Sequence, residues 1–192
     1  MNSRTEAVTD KGISGRLNWF IGGALGGLVG AVIFAGLLWL VDPTTVTESI
    51  PQMYGFEGGR LMGWVFHISH GVIFGVIFGF IITRNLVLGI LTADVDTPFL
   101  DSLSLNVRMM GAGLVYGLSI WAFVTGFVLM VTVTLGDISA PLPLASASNL
   151  IGHLLYGIIL GALVSVFTDV EVEAHESEAP FEESSDTHSK AR

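Results

Sequence analysis

Three of the five histidines in this chain, His67, His70 and His153, lie inside stretches that contain no Asp, Glu, Lys or Arg. An imidazole in such apolar surroundings must find a partner for its ring nitrogens, and ionisable groups placed there are functional candidates. Two neutral imidazoles on different helices can ligate a haem iron from both sides or share a metal ion. Met62, early in its stretch, and Met130, late in its own, are expected toward the same outer half of the membrane and would serve as soft ligands. The plainer role is structural: each histidine hydrogen-bonds a neighbouring backbone or hydroxyl group and ties two helices together. The pattern requires no cofactor; among cofactors, haem b suits it best.

Other chemistry is sparse. Cysteine is absent, which excludes disulfides, thiolate catalysis and cysteine-ligated metals. Asp94, Asp96 and Asp101 are closely spaced, but they do not follow the calcium-loop pattern and lack its terminal glutamate, so a solvated acidic loop is expected. The chain holds no phosphate-binding loop, dinucleotide fingerprint, zinc-protease helix or nucleophile elbow, and no enzymatic activity is expected.

The elements that must carry these residues follow from charge. Only 13% of the residues are charged, where a soluble domain carries about a quarter. Leu17–Val41, Leu61–Thr83, Met109–Gly136 and Ile138–Thr168 are free of charge. Each is long enough to cross a hydrocarbon core of roughly 30 Å, which takes about 20 helical residues. In lipid the backbone must satisfy its own hydrogen bonds, so the spans are expected to be helices. The boundaries expected are 17–41, 61–83, 106–135 and 148–168, making an all-α integral membrane four-helix bundle in the cell membrane. The first stretch is too long for the apolar region of a cleavable signal peptide. Residues 1–16 form a short polar tail, and 169–192 an acidic tail expected to be disordered and solvated. Arg4, Lys11, Arg16, Arg84 and Arg108 fall on one side and only Arg60 on the other, which predicts cytoplasmic termini. A formal charge of −9 with only two lysines, Lys11 and Lys190, disfavours nucleic-acid binding and resembles proteins of a high-salt cytoplasm.

Glycine supplies the packing signal. Gly22, Gly26 and Gly30 recur at four-residue spacing in the first span; Gly71 and Gly75, Gly113 and Gly117, and Gly157 and Gly161 do so in the others. Small residues in such rows let helix backbones approach closely in lipid. The segment 67–75 also matches 153–161 at a shift of 86 residues, and Gly27-Leu28-Val29 falls on Gly113-Leu114-Val115 at the same shift. This predicts two parallel two-helix repeats, with His67 and His153 at one depth and both rings facing the bundle interior.

The run Gly152-His153-Leu154-Leu155-Tyr156-Gly157-Ile158-Ile159-Leu160-Gly161 resembles the last helix of small multi-pass membrane proteins of haloarchaeal type, an uncharacterised family sometimes labelled histidine kinase. The resemblance implies a membrane location and no defined chemistry; the polar segment 169–192 is too short for an ATP-binding domain. The first functional reading is therefore a membrane protein without catalytic activity, a subunit or partner of other membrane subunits or of itself within the bilayer. The alternatives are a redox subunit holding haem or metal between the second and fourth spans, and a small transporter suggested by the repeat.

Overall fold

A computed structural model describes residues 17–92, 103–134 and 145–167. The two tails, Asp94, Asp96 and Asp101, and the loop containing Pro141 and Pro143 lie outside the described residues. Among those described, every regular element is helical. Four helices are long and apolar enough to cross a membrane: α1 (Asn18–Val41), α3 (Arg60–Ile82), α5 (Leu105–Thr134) and α6 (Ala147–Phe167). The chain is a multi-pass membrane protein with an all-α four-helix core. Between α1 and α3 runs a π-helical turn, Thr45–Ser49, followed by the short α2, Ile50–Gln52. The apolar segment after α3 forms α4 (Asn85–Thr92), whose Val87 and Leu91 pack onto the core.

Helix ends follow local chemistry. The Ser146 hydroxyl accepts the Asn149 amide at 3.3 Å, a cap that starts α6. Trp19 and Trp39 stand 20 residues apart on α1, which at 1.5 Å per residue is about 30 Å, the thickness of a hydrocarbon core. Each tryptophan has company at its end of the bundle. Trp39 packs near Trp64 and under the Arg60 guanidinium, and Trp19 packs against Phe80. Aromatic rings at both ends match the two interfaces of a bilayer.

Lateral packing rests on glycine. A methyl placed on Gly27 would lie 2.2 Å from the Gly71 carbonyl oxygen, and one on Gly75 would lie 2.2 Å from that of Gly23. The second hairpin repeats this arrangement. A methyl on Gly113 would lie 2.0 Å from the Gly157 oxygen, and one on Gly161 2.3 Å from that of Met109. Each of these positions is the counterpart of its partner in the first hairpin, 86 residues on. The α1–α3 and α5–α6 hairpins therefore share one register of backbone-to-backbone contact, with Gly117 against the His153 carbonyl where the first hairpin has Ala31 beside His67.

The hairpins meet unevenly. Gly22, Gly26 and Gly30 bring α1 against α6, where they face Phe167, Leu160 and Tyr156. The counterpart positions on α5, 86 residues later, hold Arg108, Ala112 and Tyr116. Helix α5 does not approach α3 as α1 approaches α6: α3 and α5 lack the close helix-to-helix packing of the α1–α3, α1–α6 and α5–α6 pairs. They are joined by side chains instead. The Tyr116 hydroxyl donates to the Phe74 carbonyl at 2.8 Å, and its ring lies 5.1 Å from that of Phe78.

Candidate functional site

The space left between α3 and α5 is a cavity of about 250 Å³. Its walls come from all four long helices: Phe34 on α1, His67 and His70 on α3, Ile120 and Val124 on α5, and Asn149 and His153 on α6. These residues lie late in α1 and α5 and early in α3 and α6, so the cavity sits in the half of the bundle that holds the α1–α3 connection. Ile50, Met53 and Tyr54 from that connection complete the lining. The connection is anchored onto the bundle by close backbone contact, because a methyl on Gly63 would lie 1.8 Å from the Val46 carbonyl oxygen.

The three histidines lie around this space in different ways. His67 is buried, 8% exposed, and its Nε2 lies 3.2 Å from the Ala31 carbonyl oxygen. His153 is partly buried, and its Nδ1 lies 2.9 Å from the carbonyl oxygen of Asn149 one turn earlier. A carbonyl only accepts, so each of these ring nitrogens carries the proton. In the neutral rings, His67 Nδ1 and His153 Nε2 are then left as acceptors. Both rings face the interior and pack edge-on against Phe34, with centroids 5.0 Å and 4.8 Å from it. His70 is directed elsewhere: its Nε2 pairs with the Tyr54 hydroxyl, and Tyr54 also stacks on Phe66 at 4.6 Å. The matched position on α6 is Tyr156, whose buried hydroxyl donates to the Gly71 carbonyl at 2.7 Å.

These positions bear directly on the cofactor expectation. Phe34 packs against both imidazoles, so a porphyrin plane could enter between His67 and His153 only by displacing it. His67 also spends Nε2 on Ala31, leaving only Nδ1 for an iron. A bis-histidine haem does not fit this arrangement. Nor do the methionines join the histidines: Met62 and Met130 are exposed on the outside of the bundle, and neither lines the cavity. Among the described residues no three His, Cys, Asp or Glu side chains gather as a metal would require.

No family model, curated protein or solved structure matches this chain. The reading of the cavity therefore rests on its own geometry. Residues that sequence reasoning does not single out prove central to it. Phe34 is an ordinary apolar residue of α1 until α3 and α6 bring two histidines to its ring. Tyr116 matters because a glycine stands at its counterpart, Gly30. Asn149 carries the one legible signal, a primary amide inside a charge-free span.

Proposed function

We propose that this protein holds a membrane-dissolved apolar molecule in the cavity between α3 and α5, and that it acts by binding rather than by catalysis. The observation that carries this reading is the unequal contact of the two hairpins. Glycines close the α1–α6 seam, while the counterpart positions on α5 hold Arg108, Ala112 and Tyr116 and the matching α3–α5 seam lacks such close packing. Cavity volume left in a bundle forfeits dispersion contacts, and a lipid-soluble guest restores them. Phe123 and Phe127 line the cavity while remaining 68% and 51% exposed, so its wall on α5 opens toward lipid. Among the described residues no carboxylate, serine, threonine, lysine or arginine lines it, which favours retention of a guest over its chemical transformation.

Basic residues near the span ends support cytoplasmic termini, and with them a cavity in the outer half of the membrane. The test is native mass spectrometry of protein purified in mild detergent. A stoichiometric lipid-soluble adduct is expected, and Val124→Phe, which fills the cavity from α5, should remove it while the helical spectrum persists. Protein that carries no adduct and takes up none from added native lipid extract would overturn the reading.

A further inference from the structure

The geometry points to an uncharged lipid alcohol as the ligand of this cavity, its single hydroxyl seated at Asn149 and its apolar body lying between α3 and α5. This rests on the reading of the cavity as a binding site and goes on to name the chemistry of the headgroup. Asn149 is 3% exposed and lines the cavity, and its Oδ1 accepts no hydrogen bond. A buried amide oxygen without a donor is costly, more so where neighbouring helices supply no water.

The neighbouring polar atoms leave the same kind of vacancy for a donor. The protons of His67 Nε2 and His153 Nδ1 go to Ala31 and Asn149 backbone oxygens, and the Tyr156 hydroxyl goes to Gly71. What remains around the cavity includes three acceptors, the Asn149 amide oxygen and one lone-pair nitrogen on each of the two rings, beside the N–H donors of Asn149 Nδ2. A guest that donates a proton satisfies them. A ketone, ether or ester oxygen can only accept from Asn149 Nδ2 and leaves the amide oxygen unpaired, whereas a hydroxyl both donates to Oδ1 and accepts from Nδ2.

Charge narrows the class further. Among the described residues no lysine or arginine lines the cavity, so a phosphate or carboxylate headgroup would meet no counter-charge from them. The rest of the lining is largely apolar, with Phe34, Phe74, Phe123 and Phe127 supplying flat surfaces for a branched chain or fused rings. A monohydroxy lipid, prenyl or polycyclic, meets both demands.

The experiment uses the full chain in detergent micelles with three diazirine-bearing probes: a long-chain prenol, its methyl ether and its monophosphate. The prenol should label α5 between Ile120 and Phe127 about ten-fold more efficiently than the ether, the ratio expected of one well-placed buried hydrogen bond. Asn149→Leu should lower prenol labelling and bring the prenol-to-ether ratio close to one. Equal labelling by prenol and ether in the unaltered protein would overturn the alcohol while leaving the cavity as a site. A preference for the monophosphate, or undiminished prenol selectivity in Asn149→Leu, would also overturn it. If no probe labels α5, the binding reading itself falls. Should Asn149→Leu fail to accumulate, the prenol-to-ether ratio in the unaltered protein decides the question. Competition by unlabelled linear and polycyclic alcohols then distinguishes the two forms of apolar body.

Discussion

The Tyr156 hydroxyl donates to the Gly71 carbonyl oxygen across 2.7 Å, linking α6 of the second hairpin to α3 of the first. Gly71 has no side chain to shield that oxygen, and the same carbonyl lies against Gly27 of α1. Three helices thus converge on one peptide group. Tyr156→Phe keeps the ring that packs against Gly30 and removes only the hydroxyl. Stability in detergent should fall by about 0.6 kcal/mol, and by no more than about 1.7, the span measured for hydrogen bonds between membrane helices. Denaturation by a graded detergent mixture reads this directly, and an unchanged midpoint would remove the bond from the account of stability.

Glycine substitutions should divide by what their new methyl meets. Gly27→Ala and Gly113→Ala each drive a methyl to within 2.2 Å and 2.0 Å of a backbone oxygen on the paired helix, which has no rotamer by which to yield. Both should sharply reduce folded yield, and to a similar degree because the two contacts are counterparts. Gly36→Ala and Gly126→Ala meet nothing within 4 Å. These should be neutral or stabilising by about 0.5–1 kcal/mol, the usual gain of alanine over glycine inside a helix. Size-exclusion profiles of the four variants check the division; similar tolerance in all four would sink the packing argument.

Asp42 introduces a pH dependence on the connection beside the cavity. Its carboxylate accepts the Thr44 hydroxyl at 2.6 Å and the Thr45 hydroxyl at 2.8 Å, and these bonds hold its pKa below the ordinary 3.8. A depressed folded pKa means the contribution is fully present above 3.8 and is lost as pH falls through the lower folded value. Thr45 and Val46, both buried, should then loosen, Val46 from its contact with Gly63. Limited proteolysis between Thr44 and Ser49 should accelerate below pH 3.8 in the native protein. In Asp42→Asn that change with pH should be absent; an identical acid profile in the variant would refute the assignment.

Topology is checked with reporter fusions after Leu144 and after Asp169, which flank α6. The expected outcome is an external report from the first and a cytoplasmic report from the second. The same side for both would refute the outer-half placement of the cavity.

Charge-free length is a local property, and so the four long helices were legible in the residues themselves. Any stretch of some twenty residues without charge has one low-energy answer in lipid, a helix. The glycine rows and the 86-residue shift were legible for the same reason, since spacing along one helix determines which residues share a face. The choice of partner helix was not. Gly22, Gly26 and Gly30 form a four-residue row beside Gly23 and Gly27, and only the assembled bundle shows the first row against α6 and the second against α3. Nor does spacing say that two histidines will share a phenylalanine from α1, or that the Asn149 oxygen will lack a donor. Those facts depend on side-chain volume summed across four helices. The periodicity of a single helix holds no information about how far another can approach, and that distance is what separates a sealed seam from a cavity.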